Sequence, residues 1–128
     1  MGTELGVLGY YGLFTAIVIV VQVLMAMGQV GLPMLASPRD DMPALASVAG
    51  RMDRALNNCI VAMVLFAPAV LILQAKGIST SGTLLAAQAF LIARVVYVVI
   101  YAAGLPWLRT LVWTVGFLAT LYLYAVGL

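Results

Sequence analysis

The sequence predicts an all-α integral membrane protein, a four-helix bundle that forms a single domain over residues 1–128. The chain of 128 residues is 66% hydrophobic and only 8% charged, which is far too apolar for a soluble domain of this size. Four segments approach or exceed the ~20 apolar residues that cross a bilayer. Open strands cannot pair their backbone groups in lipid, so these segments are predicted to be helices.

The predicted spans are residues 8–35, 55–74, 83–105 and 110–128. The first span is predicted to be retained rather than cleaved as a secretory signal, because Glu4 precedes it in place of a basic cluster and the apolar run is too long. Ser47 or Gly50 is predicted to open the second helix, after a loop with two prolines. Residues 77–82 form a predicted turn, and Pro106 separates the third span from the fourth.

The basic residues predict the orientation of the chain in the membrane. Arg39, Arg51 and Arg54 flank the first loop and Arg109 lies at the third, whereas the second loop has only Lys76. Because cytoplasmic loops carry an excess of arginine and lysine, loops one and three are predicted to be cytoplasmic and both termini to lie outside.

Composition also excludes several kinds of chemistry. The single cysteine, Cys59, rules out a disulfide within the chain, and the absence of histidine removes histidine-ligated haem, histidine-based zinc sites and Ser-His or Cys-His nucleophile pairs. We therefore predict no metal site. A net charge of +2 is too small to indicate nucleic acid as a partner.

Arg94 lies inside the apolar run of residues 89–105. A guanidinium cannot lose its charge, and placing one at the bilayer centre costs about 3 kcal/mol or more. The side chain is therefore predicted to face protein or water, and it is the first candidate for a functional site.

Two polar stripes share the spacing i, i+3, i+7, which places each stripe on one face of a helix. They consist of Arg51, Arg54 and Asn58 on the second helix, and of Arg94, Tyr97 and Tyr101 on the third. Packed together with Arg109, they would form a partly buried pocket for a small polyanion near the cytoplasmic side. In the alternative, the outer arginines contact lipid headgroups and Arg94 pairs with Asp53.

Four motifs follow one another along nearly the whole chain. They are S-P-R-D-D at residues 37–41, G-R-M-D-R-A-L-N-N at 50–58, A-R-V-V-Y-V-V-I-Y at 93–101 and G-L-P-W-L-R-T-L-V-W at 104–113. With these motifs in this order, the chain resembles the MAPEG family, the membrane-associated proteins in eicosanoid and glutathione metabolism, in its short bacterial form.

The resemblance implies a homotrimer in the bacterial inner membrane, with glutathione bound as co-substrate between neighbouring subunits. The implied partners are the lipid bilayer and lipophilic electrophiles that enter from it. The positions implied to bind the tripeptide are Arg51, Arg54, Asn58, Arg94, Tyr97 and Tyr101. Arg109 is implied to be catalytic, by holding the glutathione sulfur as a thiolate.

Val61 departs from the family pattern, which has a glutamate one turn after the asparagine. Two functions are therefore kept: a membrane-bound glutathione transferase or peroxidase, and a non-catalytic lipid-binding or accessory subunit of a larger membrane complex. If the pocket is otherwise intact, a glutamate at this position is expected to tighten glutathione binding about tenfold. If the pocket has been rebuilt around lipid, glutathione binding is expected to stay undetectable.

Overall fold

The structure, a computed structural model, describes residues 2–128, and within that range it contains helices and no strands. They are α1 (Glu4–Val30), α2 (Leu32–Ala36), α3 (Ser47–Lys76), α4 (Ser81–Ala103) and α5 (Pro106–Gly127). All except α2 are long and apolar enough to cross a membrane. The predicted all-α fold with four membrane-spanning helices is confirmed.

The helix boundaries follow from local chemistry. Gly31, with a φ of 82°, ends α1, so the apolar run predicted as one span over residues 8–35 is divided there. The short α2 begins at Leu32 and has Pro33 in its first turn. Ser47 is the first residue of α3. Pro106 begins α5 four residues before the predicted span, because proline fits the first position of a helix, where its missing N–H is not needed. Arg109 therefore lies in the first turn of α5.

The connection between α1 and α3 and the connection between α4 and α5 lie at one end of the bundle. Near the start of α3, Arg51 Nε donates a hydrogen bond of 3.0 Å to the carbonyl of Ala102 at the end of α4. The structure thus places loops one and three at the same end of the bundle. That this end is cytoplasmic is still a prediction.

Two buried clusters form the core. One is aromatic: the rings of Phe66 on α3 and Phe90 on α4 stack at 3.8 Å, and Tyr11 on α1 meets Phe90 edge to face at 4.9 Å. The other lies nearer loop one and includes Cys59 and Tyr97. A hydrogen bond of 2.6 Å from Tyr11 Oη to the carbonyl of Cys59 links the two clusters.

Glu4 is buried at the opposite end of the bundle from loop one. Its carboxylate accepts hydrogen bonds from the hydroxyls of Thr83, at 2.9 Å, and Ser79, at 3.0 Å. These bonds join the start of α1 to the turn between α3 and α4. We assign Glu4 a structural role, which the sequence did not indicate.

Candidate functional site

The antiparallel packing of α3 against α4 brings the two polar stripes together. Arg51 meets Ala102, Arg54 meets Tyr101, and Asn58 meets Arg94. Because the two helices run antiparallel, residues later in α3 pair with residues earlier in α4. Each residue of the α3 stripe therefore has a partner in or next to the α4 stripe. This common register is what turns two separate helical faces into one site.

Arg94 is the deepest charged group of the site, with only 2% of its surface exposed. It lies nine residues before Ala103, the end of α4, or about 14 Å along the helix. Its Nη2 donates to Asn58 Oδ1 at 2.8 Å and lies 3.7 Å from Cys59 Sγ, and its guanidinium lies 4.3 Å from the centre of the Tyr97 ring. Asn58 and Tyr97 are thus the groups that compensate the buried charge.

The Arg94 guanidinium is nevertheless incompletely satisfied. Its Nε is buried and has no hydrogen-bond partner within residues 2–128. A buried donor without a partner costs about 1–3 kcal/mol.

The Asp53 carboxylate, which the alternative paired with Arg94, instead accepts a hydrogen bond from Gln22 on α1 at 3.3 Å. The structure therefore contradicts the Arg94–Asp53 pair, because Asp53 faces α1 and Arg94 faces Asn58.

Tyr101 is surrounded by cationic side chains nearer the end of the bundle. Arg54 Nε donates to Tyr101 Oη at 3.2 Å, and the Arg109 guanidinium lies 4.6 Å from the centre of the Tyr101 ring. The rings of Tyr97 and Tyr101 meet edge to face at 5.6 Å and connect this group to Arg94. Arg109 makes no side-chain hydrogen bond to any residue from 2 to 128, so all its donors are open to a ligand.

Arg51 has a structural partner. Its Nε bonds the carbonyl of Ala102, and its guanidinium lies against Gly104, the left-handed residue that ends α4. A cation at this position favourably meets the free carbonyls at the end of a helix. Arg51 thus fixes the end of α4 beside the site, while its two terminal nitrogens keep their donors.

A small cavity of about 130 Å³ opens between α3, α4 and α5. Asn58, Val61 and Arg94 line it together, and Trp113 and Phe117, whose rings stack at 5.0 Å, line the α5 side. No carboxylate lines this cavity. Val61 lines the cavity together with Arg94 and is 60% exposed. A side chain at this position therefore borders both the cavity and the outer surface of the bundle.

A larger cavity, of about 470 Å³, lies on the other side of α3, between α1 and the first loop. Gln22, Arg39, Asp53 and Arg54 supply its polar lining. The sequence did not predict this cavity. The only sequence feature that pointed to this region was Gln22, a polar residue in an apolar span. In the structure, Gln22 donates a hydrogen bond to Asp53 on α3.

The arrangement is suited chemically to hold an anion. Three guanidiniums, those of Arg54, Arg94 and Arg109, lie around the rings of Tyr97 and Tyr101, and no acidic side chain is among these contacts. Guanidiniums donate charge-assisted hydrogen bonds, which are strongest to carboxylates and similar anions.

Comparison with known proteins gives one result. The sequence profile of the MAPEG family matches residues 5–128, essentially the whole chain. No curated protein and no solved structure matches the chain. Four apolar helices of spanning length and a profile match over this range agree with each other, and the chain belongs to the MAPEG family of membrane proteins.

Proposed function

We propose that this protein is a membrane-bound glutathione transferase or peroxidase that conjugates or reduces lipophilic electrophiles. Its membership of the MAPEG family supports a role in this area of metabolism. The observation that carries the proposal is the convergence of Arg54, Arg94 and Arg109 on two tyrosine rings, with donors of Arg94 and Arg109 left unused. Such a site is completed by a ligand that brings carboxylates and a sulfur anion.

In the proposed mechanism, Arg109 holds the glutathione sulfur as a thiolate. A free thiol has a pKa of about 8.5, and lowering that pKa by two units requires about 2.7 kcal/mol of preferential stabilisation of the anion. Arg109 has no competing hydrogen-bond partner within residues 2–128, so its guanidinium can turn fully to the sulfur. The thiolate then attacks an electrophile that arrives from the bilayer.

The remaining residues of the two stripes bind the tripeptide in this proposal. Asn58 and Arg94 lie deepest, Tyr97 and Tyr101 fix its orientation, and Arg51 and Arg54 attract its carboxylates near the end of the bundle. Each of these groups either contacts another member of the set or borders it. A shared network of this kind holds donors in fixed directions before the ligand arrives.

The test is a titration of detergent-solubilised protein with glutathione, followed by the ultraviolet absorbance of the thiolate. We expect saturable binding at millimolar concentration or better, and Arg109→Ala should abolish the thiolate signal while changing the affinity less. Lys76→Met, which removes a cation at the opposite end of the bundle, is the control and should keep the signal. Thiolate absorbance that survives in Arg109→Ala would refute the role of Arg109.

We further propose that the protein is a homotrimer in the bacterial inner membrane, with loops one and three cytoplasmic. The exposure of Val61 beside a site residue supports a neighbouring subunit there, since an exposed cavity mouth next to a buried guanidinium is better closed by protein than by lipid. Native mass spectrometry in a mild detergent should give three copies, and a monomer would refute this assembly.

The second candidate function is a non-catalytic, lipid-binding or accessory role. The observation that favours it is the 130 Å³ cavity, where Val61, Trp113 and Phe117 present apolar surface and no carboxylate is present to receive an ammonium. The same titration separates the two functions. An accessory protein would show no saturable glutathione binding, yet would bind a fluorescent fatty acyl probe.

A further inference from the structure

The 470 Å³ cavity between α1 and the first loop contains an unusual set of charges. Its lining includes the guanidiniums of Arg39 and Arg54 and the carboxylate of Asp53. Asp53 accepts one hydrogen bond, from Gln22, and makes no ion pair within the described residues 2–128. Asp53 is partly buried, whereas Arg39 and Arg54 are exposed. A partly buried carboxylate without a cationic partner is available to a ligand cation.

The walls of this cavity are fixed by the protein. Gln29 on α1 makes two hydrogen bonds to the backbone of Ala46, at 2.7 and 3.0 Å, and so holds the end of the first loop. The loop also passes very close to α3, because a Cβ added at Gly50 would lie 2.5 Å from the carbonyl oxygen of Leu45. The cavity is therefore a preformed space, and its volume is typical of small-molecule sites.

One side chain, Arg54, borders both this cavity and the arginine–tyrosine site, the group of Arg54, Arg94, Arg109, Tyr97 and Tyr101. Arg54 lines the cavity, and its Nε also donates to Tyr101 Oη. Asp53 and Arg54 are neighbours in sequence and therefore face different sides of α3, Asp53 towards α1 and Arg54 towards α4. A ligand held by Arg54 would therefore lie at the border of the two regions.

We propose that Asp53, held by Gln22, accepts the α-ammonium of the bound thiol tripeptide and so replaces the carboxylate that Val61 lacks. This inference rests on the proposed function. The two guanidiniums and one carboxylate of the lining carry a net charge of +1, and glutathione, with two carboxylates and one ammonium, carries −1. The proposed ligand therefore presents the amino-acid end of the tripeptide to this cavity. Its ammonium contacts Asp53, and its carboxylate contacts Arg54 or Arg39.

Charge reasoning alone favours this cavity over the smaller one. The 130 Å³ cavity contains Arg94 and no carboxylate, so an ammonium placed there would face a like charge. Asp53 lies eight residues before Val61, or about 12 Å along α3. The ligand head is therefore displaced towards the end of the bundle.

The experiment compares glutathione with its deaminated analogue, glutaryl-cysteinyl-glycine, by calorimetric titration of the intact protein in detergent. The native protein should bind glutathione about tenfold or more tightly than the analogue, which is the size expected of a charge-assisted hydrogen bond. Asp53→Asn keeps the shape and the oxygen that Gln22 contacts, and it should bind the two ligands equally. Asp41→Asn makes the same change of charge in the first loop, outside this cavity, and should discriminate as the native protein does.

The deciding quantity is the ratio of the two affinities in Asp53→Asn compared with that ratio in Asp41→Asn. The analogue carries −2 and glutathione −1, so loss of any protein carboxylate shifts the two affinities unequally, and Asp41→Asn measures that general effect. If native protein binds both ligands equally, or if Asp53→Asn still discriminates tenfold, the role of Asp53 is overturned while the proposed function stands. If native protein binds neither ligand, the proposed function fails and this inference fails with it.

Discussion

Replacing Arg94 by methionine together with Asn58 by leucine should leave the protein at least as stable as the native chain. The two residues form a partly buried polar contact of the site, a bond of 2.8 Å between Nη2 and Oδ1. Methionine is similar in volume to arginine, and leucine has the branched shape of asparagine with the same number of side-chain heavy atoms. The double variant removes the buried charge and its amide partner in one step, so neither is left alone.

The magnitude follows from the contacts of Arg94. The hydrogen bond from a charged donor contributes about 1.5–3 kcal/mol, and a desolvated cation over the Tyr97 ring about 2 kcal/mol. Against these stand several kcal/mol for removing the cation from water and about 1–3 kcal/mol for the unpartnered Nε. The balance predicts a double variant between equal in stability and about 2 kcal/mol more stable, as found when buried ionic groups are replaced by packed apolar ones.

The assay is unfolding in mixed micelles by titration with sodium dodecyl sulfate, followed by circular dichroism. Asn58→Leu alone is the matched control, because it leaves the buried guanidinium without its amide acceptor and should cost about 1.5–3 kcal/mol. Glutathione should raise the unfolding midpoint of the native protein and leave that of the double variant unchanged. A double variant that loses more than about 2 kcal/mol would show that Arg94 stabilises the fold, and the argument for a ligand site would lose its main support.

Three further predictions test the topology and the two cavities. Cysteines introduced at Ala46 and Ser79 should be labelled from opposite faces of the membrane, and labelling from one face would exclude the four-span arrangement. Val61→Glu should change glutathione affinity less than about threefold, because the ammonium subsite lies at the first loop; a tenfold tightening would place the ammonium in the smaller cavity instead. Gly50→Ala should displace the loop carbonyl beside it, destabilise the protein by about 1–3 kcal/mol and weaken glutathione binding, whereas Gly9→Ala, which meets nothing within 4 Å, should do neither.

Helical spacing predicted the side chains that the structure brings together between α3 and α4. Residues at i, i+3 and i+7 must share a face, so the stripes that begin at Arg51 and Arg94 could be identified without any structure. The relative register of the two helices could not be predicted, because it depends on packing over their whole length. The structure sets it so that Arg94 meets Asn58 and Cys59, and the residue considered as its partner, Asp53, lies more than a turn away.

The cavity beside the first loop escaped prediction for a different reason. Residues 37–46 have no periodicity, and their path over α1 is fixed by tertiary contacts such as the bonds between Gln29 and Ala46. The same limit explains Glu4, whose partners, Thr83 and Ser79, are far away in sequence and gave no local signal. The spacing of residues in the sequence describes one helix at a time. The cavity and the Glu4 contacts both form between separate elements, so spacing could not predict them.

Three polar groups in the half of the bundle nearer loop one lack the partners that folding alone would favour. Arg94 has a buried Nε without an acceptor, Arg109 has a guanidinium without a hydrogen bond, and Asp53 has a carboxylate without a cation, all within residues 2–128. A pairing of Asp53 with either arginine would lower the electrostatic cost, but α3 directs Asp53 to the opposite side. The two guanidiniums and the Asp53 carboxylate thus lie on opposite sides of α3 and cannot pair with each other. A ligand with carboxylates for the arginines and an ammonium for Asp53 is the kind of molecule that would pair with all three groups.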